Sequence, residues 1–105
     1  MTLTPSMKGA IAEAAITAEA IKQGVVVWRP VQEGGRCDLI FGIEQNLYRV
    51  QCKWGRLEGN VVVVGTRTCR HTPRGYVRTT YSADEVDAIA VYCGDLNRCF
   101  YLPID

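Results

Sequence analysis

The sequence has one histidine, no Cys-x-x-Cys pair, no glycine-rich phosphate loop and no apolar run near the ~20 residues that span a bilayer. His71 has no serine or cysteine beside it in a recognisable triad context, so triad catalysis has no support. Without a phosphate loop, nucleotide hydrolysis has none either. The five cysteines, Cys37, Cys52, Cys69, Cys93 and Cys99, are odd in number and lack zinc-ribbon spacing, so they suggest neither a disulfide framework nor a zinc ribbon. Cys69 and His71 make only half of a metal site. The opening residues lack the basic-then-apolar layout of a secretory leader, so a cytoplasmic, reducing compartment and no membrane partner are expected.

What is present fits one domain over residues 1–105, with 48% hydrophobic and 22% charged residues. The net charge of +1 conceals an uneven distribution. Residues 49–80 carry Arg49, Lys53, Arg56, Arg67, Arg70, Arg74 and Arg78 against Glu58 alone, whereas residues 81–105 carry Arg98 against five acids. A cationic middle third points to an anionic partner such as nucleic acid. The loop around His71 has the flexible, basic composition suited to phosphate contact. Trp28 and Trp54 can stack on bases, but tryptophans in strands more often pack in the core.

Met7, Ile11, Ala14, Ala18 and Ile21 recur at helical steps after a Thr4-Pro5 start, and Gly24 ends the pattern. These five are expected to form the buried stripe, with Glu13 and Glu19 on its flanks. Strands are expected over residues 25–29, 36–43, 47–54, 61–68 and 76–81, with a loop through His71. A capping box at Ser82 predicts one helical turn, and residues 88–93 and 98–102 a closing hairpin around Gly94-Asp95. One helix, a meander and further strands make an α/β domain with a mixed β-sheet.

Alternation in the third strand puts Arg49, Gln51 and Lys53 on one face and Val50, Cys52 and Trp54 on the other. A two-residue turn at Gln45-Asn46 makes paired residue numbers sum to 91, setting Asp38 opposite Lys53. A three-residue loop would put Asp38 on the opposite face instead. A carboxylate, an amide oxygen and an ammonium together can hold a divalent ion and activate a water beside a phosphate. The same residues also read as an exposed strand face with one salt bridge.

Glu13 in the helix, Asp38 after a glycine turn and Gln51-Cys52-Lys53 in a strand together resemble the PD-(D/E)XK nuclease signature. Residues 8–13 and 24–29 are similar to the start of archaeal Holliday junction resolvases. Glutamine in place of the usual acid looks more like the intron-encoded homing endonucleases of the same superfamily. Cys37 stands where the motif has proline.

The resemblance implies a restriction-endonuclease-like core, a mixed sheet flanked by helices, and a Mg²⁺-dependent endodeoxyribonuclease in which Mn²⁺ substitutes. Asp38, Gln51 and the Cys52 backbone carbonyl would ligate the metal, Glu13 would add a ligand directly or through water, and Lys53 would position the attacking water. The substrate would be double-stranded or branched DNA, and the cationic middle third offers Arg56, Arg67, Arg70, Arg74 and Arg78 as its contacts. Two alternatives stand beside the homing-endonuclease reading: a resolvase-like, structure-specific nuclease and a catalytically weak nucleic-acid-binding module. Cutting both strands needs more than one copy, so a homo-dimer or homo-tetramer is expected.

Overall fold

Thr4 opens the helix by accepting the Met7 N–H on its hydroxyl at 3.1 Å, and Pro5 occupies the first helical position, where no N–H is needed. The resulting helix α1 runs over Pro5–Lys22, and the chain leaves it through Gly24 at φ +86°. This computed structural model describes residues 2–32, 35–64, 69–71, 77–78 and 85–104. Among them α1 is the one helix; the expected turn at Ser82 lies outside the described residues.

Eight strands follow: β1 (Val26–Trp28), β2 (Leu39–Ile43), β3 (Asn46–Glu58), β4 (Val61–Val64), β5 (Cys69–His71), β6 (Val77–Arg78), β7 (Ala88–Cys93) and β8 (Arg98–Pro103). The first six form an antiparallel meander in sequence order. β7 then returns parallel to β3, and β8 pairs antiparallel with β7. The sheet is therefore mixed, as expected. His71 lies in strand β5 rather than in a loop.

The helix buries a different stripe from the expected one. Ala12, Ile16 and Ala20 face the sheet, while Ile11 is 37% and Ile21 59% exposed. Alanine makes both faces of this helix apolar in pattern, and only packing against Leu39, Phe41, Val50 and Ala90 selects between them. Val62, Val64, Val86, Ile89, Val91 and Leu102 form a second core on the other face of the sheet. Each such side chain contributes about 1.5–3 kcal/mol when fully buried.

The β2–β3 hairpin also departs from expectation. Leu39 pairs with Val50 and Ile43 with Asn46, so paired numbers sum to 89 and not 91. The turn is Glu44-Gln45, with Glu44 at φ +59°. Neither possible turn carries an Asn-Gly or Gly-x signal, so local chemistry does not choose between them. A shift of two residues preserves which side chains of the paired stretch share a face, but Asp38 precedes Leu39, where regular pairing ends, so the structure does not set it opposite Lys53.

Strand β3 has two edges, and their partners change along its length. Val50 pairs with both Leu39 and Ala88, and Gly55 with both Val64 and Cys93. Hence β2 and β4 lie on the same edge, opposite β7. Pairing with β2 stops at Val50 and pairing with β4 begins at Gly55, which leaves residues 51–54 without a strand partner on that edge among the described residues. Gly55 closes this opening. A Cβ there would come within 2.7 Å of both Val62 and Val91.

Candidate active site

Asp38 meets β3 at its open edge, on the segment that carries Gln51, Cys52 and Lys53. Regular pairing ends at Leu39, and the Asp38 N–H bonds the Val50 carbonyl at 2.8 Å. The Asp38 side chain then takes over the role of a strand: its Oδ2 accepts the Cys52 N–H at 2.8 Å. A strand residue sends its N–H and C=O to the same edge. The Cys52 carbonyl therefore also faces the opening, beside the Asp38 carboxylate.

Gln51 and Lys53 point to the face opposite Cys52, alongside Gly55, whose Cβ direction meets the second core. The Gln51 Oε1 is buried and has no hydrogen-bond partner. An orphaned buried acceptor costs about 1–3 kcal/mol, and native proteins rarely keep one without use. A divalent cation is a fitting partner for a neutral amide oxygen, a carboxylate and a backbone carbonyl, since hard cations take oxygen donors. Among the described residues no three of His, Cys, Asp and Glu cluster as a metal group, so any ion here relies on this mixed donor set.

Glu13 approaches from the helix side. It lines a cleft of about 270 Å³ together with Arg29, Pro30, Cys37 and Asp38, and its Oε1 lies 3.1 Å from Arg29 Nη1. Gln51 and Lys53 do not line that cleft. The structure thus brings Glu13 to Asp38 and Asp38 to the Cys52 backbone, while Gln51 and Lys53 lie on the opposite face of the same strand segment. The Cys52 thiol is pushed up chiefly by burial, then by the Asp38 and Glu13 carboxylates, with Arg29 opposing. A thiol so disposed stays protonated and is no nucleophile.

Three aspartates serve β3 in parallel fashion. Asp87 Oδ2 accepts the Arg49 N–H at 2.7 Å just before β7 begins, and Asp95 Oδ2 accepts the Leu57 N–H at 2.9 Å after β7 ends. Asp87 also holds the Arg49 side chain, Nε to Oδ2 at 3.1 Å and Nη2 to Oδ1 at 3.2 Å, and this hydrogen bonding keeps its carboxyl below the usual range. These two close ladder ends, whereas Asp38 does the same at an opening. Arg36 pairs with Glu85 at 3.0 Å and ties the segment before Asp38 to the segment before β7.

A family model described as PD-(D/E)XK endonuclease matches residues 4–105. The chain belongs to the PD-(D/E)XK endonuclease family. Among solved structures, the bacterial homing endonuclease I-Ssp6803I matches at 30% identity and a TM-score of 0.75, covering 98% of this chain and 71% of that one. No curated protein matches the chain. These comparisons support a nuclease with the α/β, restriction-endonuclease-like fold, and members of the PD-(D/E)XK family generally depend on a divalent metal.

Three arginines of the cationic middle third fall into register. Arg56 pairs with Val63, Val63 with Arg70, and Arg70 with Arg78, which places the three arginines in one row across β3, β4, β5 and β6. Within β3, Arg56 belongs to the face that carries Cys52 and Trp54. Arg56 is exposed and paired with Glu58. Arg67 and Arg74 lie outside the described residues. Trp54 packs edge-on to Tyr92 at 5.6 Å, while Trp28 is 48% exposed and lies over Gly42 rather than in the core. No helix among the described residues is long and apolar enough to cross a membrane.

Sequence patterning alone does not single out Arg29 or Asp87. An acid on the sheet-facing side of an alanine-rich helix needs a cation nearby, and that is the available signal for Arg29.

Proposed function

We propose that the protein is a Mg²⁺-dependent endodeoxyribonuclease of homing-endonuclease type, hydrolysing DNA phosphodiester bonds at the open edge of β3. The observation that carries this reading is the buried, unpartnered Gln51 Oε1 on the strand segment whose backbone meets the Asp38 carboxylate. Asp38, Gln51 and the Cys52 carbonyl would hold the metal, with Glu13 adding a ligand directly or through water. The bound ion supplies Lewis acidity toward the phosphate and lowers the pKa of water. Mn²⁺ fits the same oxygen set.

Lys53 shares a face with Gln51, so its ammonium orients the attacking water and offsets charge that grows on the phosphate oxygens. The water oxygen bonds to phosphorus as the bond to the leaving sugar oxygen breaks, and a proton passes to that oxygen. The amide at Gln51 removes one negative charge beside the dication relative to the usual acid. Metal affinity then leans on Asp38, Glu13 and the DNA phosphate, which couples metal and substrate binding. The row of Arg56, Arg70 and Arg78 gives the duplex a cationic track. Two or four copies acting together would cut both strands.

Incubation with supercoiled plasmid, linear duplex and a synthetic four-way junction, with and without Mg²⁺, tests the reading. Metal-dependent cutting of duplex supports it. Cutting confined to the junction would favour a resolvase-like enzyme, and binding without cutting a catalytically weak module.

A further inference from the structure

The cleft beside the open edge already contains a cation. Arg29 Nη1 lies 3.1 Å from Glu13 Oε1, and Arg29 is the sole cationic residue among the described residues that line the cleft with Glu13 and Asp38. Its side chain is 61% exposed against 30% for Glu13. Arg29 follows the last residue of β1 and precedes Pro30, which restrains its backbone to extended geometry.

We infer that Arg29 is an exchangeable cation of the site: it holds the Glu13 carboxylate in the metal-free protein, releases it when a divalent ion is bound, and then grips a nucleic-acid backbone phosphate. This rests on the reading of the cleft as a metal-dependent nuclease site. Charge balance supports it. Two carboxylates and one guanidinium leave the cleft at −1, and a dication brings it to +1, which one phosphodiester neutralises. Without the metal, the cleft lining repels the phosphate; without Arg29, metal and carboxylates cancel and leave the attraction to Lys53 on the other face of β3. A guanidinium 3 Å from a metal-ligating carboxylate is also repelled by the ion, while its planar fork matches two phosphate oxygens.

The test uses the full chain and two readouts other than cleavage. Calorimetric titration with Mg²⁺ in the absence of DNA should show Arg29→Ala binding the ion about three- to tenfold more tightly than wild type, because a competing cation is gone. Duplex affinity in Ca²⁺, used as a non-cleaving ion, should fall about tenfold or more in Arg29→Ala, yet change less than about twofold without metal. Arg29→Lys should retain the competition for Glu13 but recover only part of the Ca²⁺-dependent duplex affinity. Unchanged or weaker Mg²⁺ binding by Arg29→Ala, or an equal loss of duplex affinity with and without metal, would overturn the inference and leave the nuclease reading standing. Wild-type protein with no saturable Mg²⁺ site that Asp38→Asn removes would overturn both.

Discussion

The Asp38 carboxylate accepts the Cys52 backbone N–H at 2.8 Å, on the stretch of the β3 edge that neither β2 nor β4 covers. One side chain thereby extends a hydrogen-bond ladder and places an acid beside the Cys52 carbonyl. Structure and chemistry at Asp38 can be separated by choice of substitution. Asp38→Asn keeps an acceptor oxygen and should melt within about 1 kcal/mol of wild type, whereas Asp38→Ala leaves the part-buried N–H unpaired at a cost of about 1–3 kcal/mol. Both should cut DNA at least a hundredfold more slowly. Thermal melts alongside single-turnover cleavage measure the two effects, and wild-type-like cutting by either variant would remove Asp38 from the mechanism.

Gln51 should show stability traded against function. Replacing it with Leu deletes a buried acceptor that has no partner, so the metal-free protein should gain up to about 1 kcal/mol while cleavage disappears. Gln51→Glu should tighten Mg²⁺ binding by restoring a charge. If denaturant midpoints show the leucine variant clearly destabilised, the oxygen has a structural partner and is no spare ligand.

Lys53→Ala should cost at most about 1 kcal/mol of stability and leave duplex affinity largely intact, while slowing cleavage about a hundredfold or more. Filter binding in Ca²⁺ compared with cleavage in Mg²⁺ distinguishes this from a loss of DNA contact.

Asp87 makes stability depend on acidity. Its carboxyl titrates below the ordinary value because the charged form is bonded to Arg49, so its contribution is complete above about pH 4 and fades as pH falls through the lower folded-state value. Asp87→Ala should cost about 1–2 kcal/mol near neutrality, since the Arg49 N–H loses its acceptor. The difference from wild type should narrow under strong acid. Urea denaturation at pH 7 and pH 3 checks both magnitude and sign.

Duplex binding should weaken with salt, with a slope of roughly −3 to −5 in log affinity against log salt for one protomer. Arg56→Ala, Arg70→Ala and Arg78→Ala should each reduce its magnitude by about one, because all three occupy one cross-strand row. A slope unaffected by all three substitutions would move the DNA elsewhere.

Several of these features are legible in the amino-acid sequence by itself. A two-residue period is a property of an extended chain, so the separation of Gln51 and Lys53 from Cys52 follows from the order of residues alone, as do the Thr4 cap and the closing hairpin. Family membership is visible in Glu13, Asp38 and Gln51-Cys52-Lys53. Tertiary structure decides the rest. Alanines on both sides of α1 leave its buried stripe to be chosen by contact with Leu39 and Val50, and two turns of similar chemistry leave the hairpin shift to packing. The opening between β2 and β4 depends on where two separate partners stop along one long strand, and the Glu13–Arg29 pair on how a helix lies against a strand end. Such arrangements depend on contacts between distant segments, which local periodicity does not encode.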